Sequence, residues 1–189
     1  MSQFEFVQIT FALILGLGVT TVLASIGQQF RLRHIAALSA VQLSSQVLLL
    51  FSLLIWLWGF WAVKDIEWSF SLFLFHALPP MFLALAAHVS AIDCGIDCDV
   101  AELQYFRNQR PFYGFWATAS FVGLLHTVFY VYSGELELNL SIPLFIARAL
   151  GVALLCTLML SRSKKIHGIA LLLLASVSSS ILISYFFVL

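Results

Sequence analysis

Charge is what this chain has least of. Only 10% of its 189 residues are charged, 62% are hydrophobic, and the formal net charge is zero. Soluble domains carry about a quarter charged residues, so a water-exposed globule is excluded. Electroneutrality removes the basic footprint of a nucleic-acid binder, and no nucleic acid is expected as a partner. Three cysteines, Cys94, Cys98 and Cys156, are too few and too scattered for a disulfide framework. The first residues lack the basic n-region and small-residue cleavage site of a signal peptide. Glu5 stands in the first apolar run, which therefore reads as a helix of the mature protein. The apolar runs also lack a Gly-x-Ser-x-Gly elbow, a His-Glu-x-x-His zinc pair, a paired carboxylate and a nucleotide-binding glycine loop. Hydrolytic catalysis is the least supported chemistry, and no cofactor is called for.

What the chain does have is apolar length. A spanning helix needs about 20 apolar residues, and six such runs fall near Phe4–Gly27, Leu38–Ala62, Ser69–Val89, Pro111–Tyr132, Leu140–Ser161 and Ile166–Val188. The expected fold is all-α: one integral membrane domain, a six-transmembrane-helix bundle in a lipid bilayer. Seven of the nine Lys and Arg residues lie in the connections at one side: Arg31, Arg33, Arg107, Arg110, Arg162, Lys164 and Lys165. Lys64 alone is in a connection on the other side. The positive-inside rule makes the basic side cytoplasmic and puts both termini outside it. Trp56, Trp58, Trp61 and Trp68, with Tyr130 and Tyr132, mark the outer ends of the helices, and Tyr113 and Trp116 the inner end of the fourth. These read as interfacial anchors before they read as a ligand cage.

One cation stands inside an apolar run. Arg148 lies within Ser141–Ser161, and an arginine near the bilayer centre costs from ~2.5 to ~17 kcal/mol unless it is matched. At about 1.5 Å per residue, Arg148 lies roughly 12 Å below the outer surface and His76 and His126 about 10 Å below it. Glu5 and Gln8 occupy the outer part of the first helix. Together these define an outer polar layer, with Glu5, Gln8, Tyr130, backbone carbonyls or a bound anion as candidate partners for the arginine. Pro79-Pro80 free the carbonyls of Phe75 and His76, so helix three is expected to be kinked there and to face protein or water. Ser39, Gln42 and Gln46, three and four apart, give helix two an uncharged polar stripe in the inner half. That stripe serves interhelical hydrogen bonding or lines a cavity. Gly16, Gly18, Thr20, Gly123 and the face of Ser176, Ser179 and Ser180 permit close helix approach.

The longest polar connection, Ser90–Arg110, carries Cys94 and Cys98 four apart. With His88 they are weak candidates for a soft metal site; a solvated acidic loop and acylated cysteines are the competing readings.

The stretch Trp58-Gly59-Phe60-Trp61, followed by Asp65-Ile66-Glu67-Trp68-Ser69-Phe70, resembles a pattern in small bacterial membrane proteins of unassigned function. The resemblance implies a bacterial inner-membrane home and carries no activity with it.

These residues point to a channel or transporter for a small ion or solute. Its pathway would run through Arg148, His76, His126, Glu5, Gln8, Gln42 and Gln46, and the fixed cation would favour anions. Six short helices enclose little volume, so a homo-oligomer is expected. A haem protein using His76 and His126, with His88 and His34 or His167 as an inner pair, is one alternative. A structural or lipid-binding subunit is another.

Overall fold

The computed structural model describes residues 3–32, 39–60, 67–91, 101–133 and 138–188, and almost all of them are helical. The helices are α1 (Gln3–Leu32), α2 (Ala40–Gly59), α3 (Phe70–Ser90), α4 (Ala101–Tyr132), α5 (Leu138–Leu160) and α6 (Lys164–Val188). Each contains a stretch of 19 to 28 residues long and apolar enough to cross a membrane. The chain thus has the make-up of a multi-pass membrane protein.

Local chemistry sets the helix starts. Ser39 caps α2 by accepting from the Gln42 N–H, and Ser69 caps α3 by accepting from the Leu72 N–H at 3.2 Å. Helix α4 begins at Ala101, ten residues before the expected start, so Pro111 lies inside it. The polar residues ahead of Pro111 extend the helix beyond its apolar part. Helix α3 runs without a gap through Pro79 and Pro80, both buried, although neither can donate to the carbonyl one turn back.

Chain neighbours pack antiparallel, and the packing closes on itself in the order α1, α2, α6, α5, α4, α3 and back to α1. Helix α2 also packs on α3 and reaches α4 with Ser45 and Trp56. The core is apolar through the middle of the bundle, with Leu15, Leu49, Leu53, Leu83 and Trp116 almost fully buried. A smaller aromatic cluster forms where α2 ends beside the first halves of α1 and α3, and there Phe11 packs on Phe60 with ring centroids 4.1 Å apart.

The outer surface is what lipid requires. Leu13, Leu17, Phe70, Leu172 and other large apolar side chains point outward. Hydroxyls on that surface are turned back onto their own helices: Thr20, Thr118, Thr157, Ser176 and Ser179 each donate to a carbonyl four residues earlier. No water is present in hydrocarbon to take their hydrogen bonds, so this local pairing hides the polar groups. Of the glycines expected to mark close approach, Gly18 does so. A Cβ there would lie 3.0 Å from Leu53 Cδ2 and 3.5 Å from Ala84 Cα, whereas one at Gly16 would meet nothing within 4 Å.

Candidate functional site

Buried polar side chains gather in two layers, one toward each end of the bundle. The first lies at the end where α1 finishes, α4 begins and α5 turns into α6. Arg31, Arg107, Arg110, Arg162, Lys164 and Lys165 surround it.

Gln46 is the centre of this basic-end layer and is fully buried. Its Oε1 accepts from Gln29 Nε2 on α1. Its Nε2 donates to Ser25 Oγ at 2.8 Å and to the Ser90 carbonyl of α3 at 2.9 Å. All three hydrogen-bonding positions of the amide used here tie α2 to its neighbours. Gln42, one turn earlier, is nearly as buried, yet its Oε1 has no hydrogen-bond partner among the described residues. It lines a cavity of about 20 Å³ together with Ser45, Gln46, Val89, Ser90, Ala91, Tyr105, Asn108 and Phe112.

On the α4 side of that cavity runs a chain of hydroxyls. Ser45 Oγ lies 2.7 Å from Tyr113 Oη, which lies 2.7 Å from Tyr105 Oη. Tyr105 Oη lies 2.7 Å from His167 Nδ1, and His167 Nε2 lies 2.8 Å from the Ser161 carbonyl. Gln109 Nε2 also donates to Ser161 O, at 2.6 Å, and to Met159 O at 3.0 Å. These are carbonyls at the end of α5 that no helical N–H reaches, so α4 and α6 cap α5 through side chains.

The second layer lies toward the opposite end of α2, α3, α4 and α5. His76 of α3 and His126 of α4 are both buried, with ring centroids 4.4 Å apart. Each places Nδ1 on the carbonyl four residues earlier, Leu72 O at 2.8 Å and Val122 O at 2.9 Å. A carbonyl only accepts, so both rings carry hydrogen on Nδ1 and present Nε2 as an acceptor. His76 Nε2 takes the Tyr130 hydroxyl, whereas His126 Nε2 has no partner among the described residues. Phe75, Trp56 and Trp68 pack around the pair.

Arg148 enters this layer from α5. Its Nη1 donates to the Gly123 carbonyl and, at 2.8 Å, to Thr127 Oγ1. Gly123 makes that approach possible, since a Cβ there would lie 3.0 Å from Trp56 Cζ2 and 3.6 Å from Arg148 Nη1. Two α4 acceptors, one before and one after His126 in the chain, therefore face the guanidinium.

The histidine pair and the arginine thus share a layer, as residue counting predicts, and Gln42 and Gln46 share another. Glu5 is exposed and Gln8 part-exposed on α1, which packs on α2 and α3. Tyr113 and Trp116 are core residues rather than interfacial anchors. His88 is exposed at the end of α3, and Cys94 and Cys98 lie outside the described residues, as do His34 and Trp61. No group of three metal-ligating side chains occurs among the described residues. His76 and His126 do not fit a haem: their rings contact each other, which leaves no space for a porphyrin plane between them, and Tyr130 occupies one Nε2. Sequence reading missed Thr127, Gln29, Ser25 and Gln109, whose only signal is that each is polar within or beside an apolar run.

Compared with known proteins, the chain matches no protein-family model, no curated protein and no solved structure.

Proposed function

We propose that the chain is a carrier for a small ion or solute, favouring anions, that works by passing its cargo between the two polar layers. The observation that carries the reading is their separation. From Gln46 to Trp56, α2 buries only Leu49 and Leu53, and these pack into an apolar layer that spans the bundle. Such a layer supports a carrier, which needs a barrier that opens on one side at a time, over a continuous wet pore. Arg148 carries a fixed positive charge, and held beside His126 it gives the second layer a preference for anions.

Orientation and motion complete the proposal. The basic end is the cytoplasmic one by the positive-inside rule, and the resemblance noted in the sequence puts the membrane in a bacterium. Helix α3 is the moving element, bending at Pro79-Pro80. Two missing N–H donors there leave the carbonyls of Phe75 and His76 without their helical partners. A bend at that point shifts His76 relative to Ser90, and so one polar layer relative to the other.

The test is flux into proteoliposomes, chloride against potassium, for the wild type beside Arg148→Gln. The carrier reading expects saturable chloride uptake by the wild type and a loss or inversion of the preference in a mutant that still folds. No flux of either ion from a folded wild-type protein refutes anion carriage.

A further inference from the structure

We propose that the basic-end cavity holds one bound water, and that through Tyr105 this water delivers a proton to the buried imidazole of His167, so that the carrier takes a proton as co-substrate. A water needs about 10–15 Å³ of such space and two to four polar partners. The cavity offers about 20 Å³ and is lined by Gln42, Ser45, Tyr105 and Asn108. One of these is an acceptor in need of a donor. Gln42 Oε1 has no partner among the described residues although the residue is only 5% exposed. Gln46 is excluded from that role because its hydrogen bonds are already committed to α1 and α3.

The direction of the hydrogens follows from one carbonyl. Ser161 O accepts from His167 Nε2, so neutral His167 carries its hydrogen there and offers Nδ1 as a lone pair. Tyr105 must then donate to Nδ1, which leaves its own oxygen as an acceptor toward the cavity. Ser45 Oγ donates to the Val41 carbonyl at 2.7 Å, so Tyr113 gives its one hydrogen to Ser45 or to Tyr105, and the chain is one hydrogen short while His167 is neutral. A proton on His167 Nδ1 supplies it, with the hydrogens then running from His167 through Tyr105, Tyr113 and Ser45 to Val41 O.

Proton uptake balances along this path. A proton arriving on the water bonds to Tyr105 Oη while the original Tyr105 hydrogen passes to His167 Nδ1. One O–H bond breaks and one forms at Tyr105, an N–H bond forms at the ring, and the water is restored. Tyr105 ends neutral and His167 ends as imidazolium, its two N–H groups facing Tyr105 Oη and Ser161 O.

Among the described residues, α2, α5 and α6 carry no acidic side chain. From α4 the titratable groups facing His167 are Tyr105 and Tyr113. Helix α2 contributes no titratable side chain, and on α5 the nearest is Cys156. Arg162, Lys164 and Lys165 around the start of α6, and Arg107 and Arg110 of α4, are exposed at the basic end.

The proton site deepens the carrier reading and rests on it only for coupling to solute, so the experiment has two arms. In the first, full-length protein with isotope-labelled histidine is followed by NMR in lipid nanodiscs, His167 being assigned by the signal lost in His167→Gln. The wild type should protonate His167 reversibly without unfolding. Tyr105→Phe should slow proton exchange at the ring on the order of a hundredfold, the low end of what a positioned proton donor contributes. Gln42→Leu, which removes the water's acceptor and leaves the tyrosines in place, should slow it as well and stands in if Tyr105→Phe does not fold. A His167 that never protonates in the folded protein, or that exchanges as fast in the folded variant as in the wild type, overturns the proposal. In the second arm, chloride uptake into liposomes with a trapped pH dye should acidify the lumen in the wild type. Proton exchange without any solute flux would leave the proton site standing and remove the carrier reading. Chloride flux that leaves the dye unchanged would overturn proton coupling.

Discussion

Two glutamines one turn apart on α2 should behave in opposite ways when replaced by leucine. Gln46 makes three side-chain hydrogen bonds to two other helices. Interhelical bonds in membrane proteins average about 0.6 kcal/mol and reach about 1.7, so Gln46→Leu removes roughly 2 kcal/mol in bonds alone. It also strands the Gln29 amide, which is itself buried, and an orphaned buried polar group costs about 1–3 kcal/mol. The expected loss is therefore about 3–5 kcal/mol, with little contribution from packing because leucine and glutamine are similar in size. Gln42→Leu replaces an amide whose oxygen bonds nothing in the described protein, and should change stability by less than about 1 kcal/mol. Reversible unfolding in mixed detergent micelles, read by circular dichroism, measures both. Equal costs for the two substitutions, or a larger one for Gln42→Leu, would refute the division of labour between them.

Three further outcomes follow from the second polar layer. Gly123→Val drives a branched side chain into Trp56 and Arg148; overpacking of this kind costs about 1–3 kcal/mol, to be read as a lower melting temperature with altered tryptophan emission. Thr127→Val keeps shape but removes an acceptor from Arg148, and should cost about 1–2 kcal/mol and weaken chloride preference in the flux assay. The double change Pro79→Ala with Pro80→Ala restores two N–H donors to α3, so thermal stability should rise while solute turnover falls.

The six helices were legible because membrane-length apolar runs have few other uses, and depth counting alone was enough to set His76 level with His126. What it did not contain was the answer to Arg148. Its acceptors are a backbone carbonyl, which every residue has, and a threonine that looked like any other in an apolar run. Gly123 was visible as a small residue, but not as the place where a guanidinium comes through. The polar stripe of α2 was visible too, yet nothing in its spacing separates Gln46 from Gln42. That difference arises because α1 and α3 dock over one turn and leave the next facing a cavity. Tyr113 and Trp116 failed in the opposite sense. Aromatic residues near a helix end resemble headgroup anchors, and only the continuation of α4 back to Ala101 moves them inside the bundle.

The apolar layer between the two polar ones also decides where a membrane potential acts. Polar, orientable groups sustain little field, so most of the voltage falls across the stretch between Gln46 and Trp56. That stretch is about ten residues, or ~15 Å, rather than the ~30 Å of the full hydrocarbon thickness. A charge handed across it would feel nearly the whole potential, about 2.3 kcal/mol per 100 mV, within a single short step. Electrical work would then be concentrated on Leu49 and Leu53 and the side chains they meet, and a serine at either position would spread the drop and flatten the voltage dependence of any current the protein carries.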